Sequence, residues 1–391
     1  MKLISLLLVA QLAVACTAQG RDRAPPAPKF DIEPLSGLGG GTSLGASINN
    51  LGWIAGRSNL PGNSARHATL WKGGRLIDLG TLGGPNSAVL WPVKNVRGVL
   101  TGISQTAERD PRNETWSCGF FFPGAMATGY KCVGFRWANG QMTPLPTLGG
   151  THGFATGTNH FLRTVGWAEN TTVDPTCTPP QQLQFRAVVW GPNGRVERQL
   201  RPVGSHTTSA ATAINDQGSV VGISGNCDQA VGRYSAISAV IWINGNPRVI
   251  PTFGGVAWNT PTAINADNVV VGFANANAAS GGEFDPRAFI WTRSGGTKPL
   301  PRLANHATSQ ALGINRFRHA VGQTCTTDGT CGATLWMPGN KVYDLNALIG
   351  SSPLHLYSAN DIDDFGRITG QAYDTVTDTY VAYKATPNLR R

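Results

Sequence analysis

The stretch between residues 213 and 255 decides the fold, because it holds one complete copy of a unit that recurs along the chain. It begins with Ala213-Ile214-Asn215 and Ser219-Val220-Val221-Gly222, continues with Ala239-Val240-Ile241-Trp242, and ends with Ile250-Pro251-Thr252-Phe253-Gly254-Gly255. The unit reads as four short strands, a to d, in which strand a ends at the asparagine and strand c ends at the tryptophan. Asn and Gly residues between the strands favour tight turns, since they adopt left-handed backbone angles at little cost.

The key residues of this unit return at matching positions. The asparagine, replaced once by aspartate, is followed by a glycine seven residues later in every repeat, so chance is a poor explanation. These pairs are Asn49 and Gly56, Asn95 and Gly102, Asn159 and Gly166, Asn215 and Gly222, Asn265 and Gly272, Asn315 and Gly322, and Asp363 and Gly370. The tryptophan recurs as Trp71, Trp137, Trp190, Trp242, Trp291 and Trp336, and Ala382 and Tyr383 occupy its region in the last repeat.

Repeated antiparallel four-stranded units of about 45 residues are typical of a β-propeller. Residues 29–40 read as a strand d with no a, b or c before it, whereas the last repeat has a, b and c but no d. Pairing these two segments removes two exposed sheet edges. We therefore predict an all-β fold, a seven-bladed β-propeller closed by its N-terminal strand. A linear solenoid, which would not need complementary ends, is the structural alternative.

The repeats also predict the domain organisation. A signal peptide at 1–15 and a Pro-rich linker at 16–28 precede a single propeller at 29–386, and a tail follows at 387–391. Residues 29–40 form the closing strand. The blades are placed at about 41–84, 85–150, 151–204, 205–255, 256–303, 304–349 and 350–386.

The N-terminal segment predicts export. Lys2 precedes an apolar run, Leu3 to Ala15, that has the length of a signal peptide and is too short to span a bilayer. Leu12-Ala13-Val14-Ala15-Cys16 resembles a bacterial lipobox, in which Cys16 would be acylated, although Ala stands three residues before the cysteine where Leu is usual. The same residues also fit ordinary signal peptidase. We expect an exported protein of the bacterial cell envelope, periplasmic or extracellular, and lipidation stays open.

Six cysteines remain when Cys16 is set aside, and an even number in an exported chain indicates disulfides. The preferred pairs are Cys118 with Cys132, Cys177 with Cys227, and Cys325 with Cys331; the alternative is that some are free or buried. No cysteine spacing is accompanied by the histidine pair of a zinc site, so no metal is predicted.

Three repeated phrases carry a resemblance to a known family. They are Asn-x-x-Gly-x-Val-Val-Gly, Ala-Phe-Ile-Trp at 288–291, and Asp-Leu-Gly-Thr-Leu-Gly-Gly at 78–84. The chain resembles the bacterial extracellular HAF-repeat family, and His67-Ala68-Thr69-Leu70-Trp71 is nearest to its His-Ala-Phe element. The resemblance covers nearly the whole mature chain. It implies an exported repeat protein, and it brings no established reaction.

The charge balance bears on partners. The chain has 32 Lys and Arg against 22 Asp and Glu, a net charge of +10, while only 14% of its residues are charged. Nucleic-acid-binding patches are clustered, whereas these arginines are scattered singly along the sequence. We predict no nucleic-acid binding and a general affinity for anionic surfaces, with polysaccharide or an envelope protein as candidate partners. A membrane would be reached only through a lipid anchor.

Binding residues are sought where the repeats differ, since the repeated asparagine and tryptophan serve turns and packing. Loops b to c and connections d to a share one face of a propeller, and variable loops on a rigid scaffold commonly carry binding sites. Residues near the d to a connections are predicted to surround the mouth of the central channel as a ligand or metal site; ordinary loop polarity is the alternative. They are His152, His206, His306, His355, Trp91, Trp258 and Tyr357.

Signals of catalysis are scarce. The Gly-x-Ser-x-Gly match at residues 41–45 is not followed by a helix, which a nucleophile elbow requires. Loop acids could form a carboxylate pair for glycoside hydrolysis; these are Glu108, Asp110, Glu114, Glu169, Asp174, Glu283 and Asp285. We predict a non-catalytic binding or surface-interaction module with no cofactor. The alternatives are a glycan-directed hydrolase or lyase on the long-loop face and an envelope assembly scaffold.

Overall fold

A computed structural model of the protein describes residues 27–114, 116–230, 232–280 and 283–388. Seven four-stranded antiparallel sheets form the blades of a β-propeller, which confirms the predicted fold class and number of blades. The predicted signal peptide and Cys16 lie outside the described residues, as do the last three residues of the predicted tail.

The strands follow one another in chain order, a to d, and the first strand belongs to the last blade. Blade 7 contains β26 (Leu354–Ile362), β27 (Ile368–Asp374), β28 (Thr379–Pro387) and β1 (Phe30–Leu35). Blade 1 contains β2 (Ser43–Ile48), β3 (Ile54–Asn59), β4 (Arg66–Lys72) and β5 (Arg75–Asp78). Blade 2 contains β6 (Gly83–Ala88), β7 (Leu100–Arg109), β8 (Tyr130–Ala138) and β9 (Gln141–Pro144). Blade 3 contains β10 (Gly149–Thr158), β11 (Thr164–Val173), β12 (Leu183–Trp190) and β13 (Val196–Leu200). Blade 4 contains β14 (Thr208–Ile214), β15 (Val220–Gly225), β16 (Ser238–Ile243) and β17 (Asn246–Ile250). Blade 5 contains β18 (Thr260–Ile264), β19 (Val270–Asn275), β20 (Pro286–Thr292) and β21 (Gly296–Pro299). Blade 6 contains β22 (Thr308–Ile314), β23 (Ala320–Cys325), β24 (Cys331–Met337) and β25 (Lys341–Asp344). The helical segments are α1 (Trp116–Phe121) and the 3-10 turns Gly124–Met126, Ala278–Ser280 and Leu345–Ala347.

The ring closes as predicted. Strand β1 pairs antiparallel with β28 along its whole length, from Phe30 opposite Pro387 to Leu35 opposite Ala382. It ends at Leu35, short of the predicted bound at residue 40, while β28 extends to Pro387. The N-terminal strand therefore supplies the outer strand that the last repeat lacks.

The double glycines lie differently from the sequence prediction, which placed them at the end of strand d. Two of them instead begin strand a of the next blade, Gly83 in blade 2 and Gly149 in blade 3. Both adopt positive φ angles, 100° and 101°, which disfavour other residues. A Cβ on the second glycine, Gly84 or Gly150, would lie 2.5 Å from a carbonyl oxygen of the adjacent strand b. The double glycine thus allows strands a and b to approach each other closely where a blade begins.

The repeated asparagines join neighbouring blades as well as serving their own turns. The Asn215 Oδ1 accepts a hydrogen bond from the Ser219 N–H at 3.0 Å, and its Nδ2 donates to the carbonyl of Asn265 in the next blade at 3.0 Å. Asn49, Asn159, Asn265 and Asn315 make the same bond to the following blade. The sequence predicts the turn, whereas the bond to the next blade is apparent only from the structure.

The tryptophans also bridge blades, in agreement with the predicted packing role. Trp242 is fully buried, and its indole N–H donates to the carbonyl of Arg201, which follows strand d of the preceding blade, at 2.8 Å. Trp71 makes the equivalent bond to Ser36, directly after β1. Trp190 and Trp336 make the same kind of bond, so four of the six tryptophans connect strand c to the end of the outer strand in the preceding blade.

The positive charge gathers on one end of the propeller. We call this end the tight-turn face; it is formed by the a to b and c to d turns. The exposed acids in these described turns or flanking them are Glu197, Asp216 and Asp267. The exposed cations in the turns or flanking them, called the turn cations below, are Lys72, Arg75, Arg97, Arg163, Arg195, Arg293, Arg316, Arg318 and Lys341. They come from blades 1, 2, 3, 5 and 6, at most three from each, so they appear scattered in the sequence.

Candidate functional site

The opposite end, here called the long-loop face, is formed by the b to c loops and the d to a connections. Three disulfides stabilise its loops: Cys118–Cys132, Cys177–Cys227 and Cys325–Cys331. These are the pairs that the sequence predicts. The bond between Cys177 and Cys227 connects the b to c loop of blade 3 with that of blade 4, so it also fixes two blades relative to each other.

An aromatic cavity of about 250 Å³ opens on the long-loop face. Inner strands β10, β14, β18 and β22 contribute to its wall, which places it at the mouth of the channel between blades 2 and 6. Its aromatic lining residues are Trp91, Phe120, Phe121, Phe154, Trp167, Trp258, Phe273 and Phe284. The lining contains no Asp, Glu, Lys, Arg or His within the described residues. The cavity therefore offers aromatic surface without charge.

The aromatic side chains form two clusters with edge-to-face geometry. In blades 2 and 3, the Phe154 ring lies 5.6 Å from Trp91 and 4.8 Å from Phe121. In blade 5, the Phe284 ring lies 5.5 Å from Trp258 and 5.8 Å from Phe273. Such contacts hold the rings in defined orientations. The two clusters form preorganised walls of one cavity.

Trp258 adopts a backbone conformation that is rare for a large residue. Its φ is +60°, in the left-handed region. Backbone outliers of this kind cluster at binding and catalytic sites, where the surrounding structure maintains them. The conformation is held between Ala257 and Asn259, whose N–H donates to the carbonyl of Ala236 at 2.9 Å. The strained residue lies in the cavity wall.

Little hydrogen-bonding capacity is left in this wall. The Thr212 hydroxyl donates to the carbonyl of Pro261 at 2.6 Å, and the Thr156 hydroxyl bonds to the carbonyl of Ala211 at 3.0 Å. Both bonds join neighbouring inner strands. Thr260 and Gln310 are the other polar side chains of the lining. The cavity can thus make a few polar contacts and many apolar ones.

The structure brings two of the predicted binding residues together, Trp91 and Trp258, and places the other five outside the cavity lining. The Nδ1 of His206 lies 3.0 Å from the Ser224 hydroxyl, and burial lowers the pKa of His206. The Nε2 of exposed His355 lies 3.1 Å from the carbonyl of Cys331. Tyr357 is half-buried on β26, as is His306 in its d to a connection.

His152 is fully buried in a polar network between blades 2 and 3. Its Nδ1 accepts a hydrogen bond from the Cys132 N–H at 3.1 Å. The ring proton is therefore on Nε2, which donates a hydrogen bond to the Asp110 carboxylate, also at 3.1 Å. Glu169 accepts from the N–H groups of Thr151 and His152 at 3.1 and 2.7 Å. The network attaches the long loop of blade 2 to blade 3.

Glu114 belongs to the same region. One of its carboxylate oxygens accepts hydrogen bonds from the N–H groups of Gln182 and Leu183. Asp174 is also buried and bonds to Thr176 and Gln184. Four of the seven loop acids considered for glycoside cleavage, Asp110, Glu114, Glu169 and Asp174, are therefore engaged in holding loops.

The remaining chemical candidates show no reactive arrangement. Glu108 pairs with Lys131 at 2.6 Å, and Asp285 lies 3.9 Å from Arg287; Glu283 is exposed. Ser43 of the Gly-x-Ser-x-Gly match is buried in β2, and its hydroxyl accepts from the Ala382 N–H at 2.8 Å. Among the described residues, no group of His, Cys, Asp and Glu could hold a metal ion.

Replacing Glu169 by glutamine tests the buried network. Burial raises the pKa of Glu169, so the folded protein takes up this proton before the unfolded chain does. The Glu169 carboxylate therefore destabilises the folded protein most at high pH, and this destabilisation decreases as the pH falls. We expect the stability of Glu169→Gln relative to the unmodified protein to be greatest at high pH and to decrease as the pH falls toward the range in which an unperturbed glutamate titrates, about pH 4. Urea unfolding of the two proteins at a series of pH values measures this difference.

A sequence signal for the cavity exists, although it was not recognised. The residue after each repeated glycine is apolar in blades 2 to 5, which supply most of the cavity wall, and polar in the other blades. Trp167, Ile223 and Phe273 follow this rule and line the cavity. The complete series is Arg57, Ile103, Trp167, Ile223, Phe273, Gln323 and Gln371.

The fold and the cavity define a class: a seven-bladed β-propeller with an uncharged aromatic site at one channel mouth. No family model and no curated protein matches the chain. The β-propeller domain of the Trilobed protease from Pyrococcus furiosus is similar, with 8% identity, a TM-score of 0.52, and coverage of 88% of this chain and 97% of that one. Virginiamycin B lyase from Staphylococcus aureus has 11% identity, a TM-score of 0.50, and coverage of 92% and 99%. At such identities the likeness shows the fold alone.

Proposed function

We propose that this protein is an exported propeller of the HAF-repeat type that binds a neutral, largely apolar ligand in the aromatic cavity and does not convert it. The observation that carries the proposal is a wall of eight aromatic residues with no charged side chain. Pockets of this kind bind through apolar contact and use a few polar groups for orientation. The small volume favours a ligand of one or two fused rings.

A catalytic role has less support. General acid or base chemistry needs a titratable group within reach of the ligand, and the lining provides none among the described residues. The alternative of a glycan-directed hydrolase would rely on loop acids, of which Glu108 and Glu283 are exposed. Release of reducing sugar from polysaccharide, lost in a Glu108→Gln/Glu283→Gln variant, would favour that alternative.

Export is supported by the disulfides, because such bonds persist in oxidising compartments. No described helix is long and apolar enough to cross a membrane. We place the protein in the bacterial envelope or outside the cell, with Cys16 as the candidate acylation site. Mass spectrometry of the protein recovered from its host tests this assignment, since acylation would add the mass of its lipid to Cys16.

Binding of a neutral fluorescent probe tests the cavity. N-phenyl-1-naphthylamine should bind with increased emission, and Trp258→Ala and Phe284→Ala should each weaken its binding about tenfold, since each removes one aromatic contact. Phe365→Ala is the control, because Phe365 is also an exposed aromatic residue but lies on the opposite face. Equal binding by all variants would contradict the assignment of the site, and a folded protein that fails to bind the probe would contradict the ligand class.

A further inference from the structure

The tight-turn face carries apolar residues that the turns do not need. They occupy the second position after the repeated Asn or Asp, and they are Leu51, Phe161, Phe317 and Phe365, with 52%, 60%, 49% and 68% of their surface exposed. Arg97, Gln217 and Asp267 occupy the same position in the other blades. The turn therefore accepts a polar residue there, and the exposed rings need another explanation.

Cations surround these apolar residues. The Arg316 guanidinium lies 4.5 Å from the Phe317 ring centre, and Arg367 lies 5.2 Å from that of Phe365. Within the described part of the chain, Arg163 is the turn cation that forms a salt bridge, with Glu197. None of the other turn cations forms a salt bridge in that part. The face is thus both apolar and strongly positive.

The N-terminal segment joins the propeller at the same end. Strand β1 begins at Phe30 opposite Pro387, where a c to d turn would otherwise lie. Pro28, Phe317, Phe365 and Pro387 line one apolar groove of about 260 Å³. Residue 27, where the described structure begins, therefore lies close to the exposed rings. From there, an extended chain reaches Cys16 within about 40 Å.

We propose that the tight-turn face lies on the surface of a bilayer that contains anionic lipids. The exposed rings enter the interfacial region, and the turn cations contact the headgroup phosphates. The long-loop face and its cavity then point away from the membrane. A nucleic acid would use the same cations but would gain nothing from apolar residues at four separate turn tips, so the bilayer fits the face better.

Vesicle sedimentation tests this proposal without any acyl chain. The protein beginning at Thr17, which retains every described residue, is mixed with phosphatidylcholine vesicles with or without phosphatidylglycerol. We expect at least about tenfold tighter binding to the anionic vesicles and a marked loss at high salt, because screening weakens surface attraction. Absence of binding to anionic vesicles overturns the proposal.

Matched variants assign the binding to one face. Phe317→Ser/Phe365→Ser and Arg316→Gln/Arg318→Gln should each weaken vesicle binding about tenfold. Phe120→Ser/Phe284→Ser removes two similarly exposed rings from the long-loop face and should leave binding unchanged. Circular dichroism melting confirms that each variant is folded. Equal loss in the control overturns the proposal, and so does tight binding of duplex DNA that is insensitive to the Phe317 and Phe365 substitutions.

Discussion

A chain without residues 27–36 is expected to lose cooperative folding altogether. Strand β1 pairs with β28 over its full length, and its Phe30 lies in the core of blade 7. Removal also takes away Ser36, whose carbonyl accepts the indole N–H of Trp71. Truncating one buried aromatic residue costs about 3–5 kcal/mol, and a domain is stable by about 5–15 kcal/mol. Loss of the whole strand, which also exposes the edge of β28, exceeds that margin.

Thermal melting followed by circular dichroism, together with light scattering, measures this effect. Glu33→Gln is the matched control, because Glu33 is exposed and its pairing with Lys384 is a surface contact worth less than about 1 kcal/mol. A synthetic peptide of residues 27–40, added in trans, should restore a cooperative transition. If the truncated chain melts at the temperature of the full protein, closure by β1 does not stabilise the ring.

The propeller could be predicted from the sequence because each blade repeats the same local requirements. Asn215 and Gly222 recur at a fixed spacing since one forms the turn and the other allows close backbone approach: a Cβ on Gly222 would lie 2.0 Å from the carbonyl oxygen of Ala210. Because these requirements recur in all seven blades, they produce a recognisable pattern in the sequence. The disulfide pairs could be predicted for a related reason, as their cysteines lie in the b to c loops or in the strand ends beside them, on one face.

The cavity could be predicted only in part, because its walls depend on loop paths that no repeat specifies. Trp91 and Trp258 were recognised by their place near the d to a connections, whereas Phe120 and Phe284 come from b to c loops. His152 shares the sequence position of a mouth residue, yet β10 directs it into the buried network. The turn cations could not be predicted as a group, because a linear sequence does not show that residues from separate blades form a common face.

A buried ion pair lies beside blade 7, the blade that the N-terminal strand completes. Lys94 of blade 2 forms a salt bridge with Asp361 of blade 7, and its ammonium group also donates to the carbonyl of Ile362 at 2.7 Å. The other oxygen of Asp361 accepts from the N–H of Ile48 in blade 1 at 2.8 Å. Asp361 is fully buried, whereas Lys94 keeps 31% of its side chain exposed. One carboxylate therefore connects three blades across the point where the chain's two ends meet.

Lys94→Met is expected to destabilise the protein by about 3 kcal/mol, because it leaves the Asp361 carboxylate buried without a cation. This value lies at the lower end for broken buried pairs because Lys94 is partly exposed. Burial raises the pKa of Asp361, and loss of the ammonium raises it further, so the variant should regain stability as the pH falls. Lys94→Met/Asp361→Asn, which removes the charge, should be more stable than Lys94→Met alone, while exposed Lys341→Met should change little. Urea unfolding of the four proteins measures these differences. A double variant no more stable than Lys94→Met would mean that the hydrogen bonds of Asp361, and not its charge, hold the three blades together.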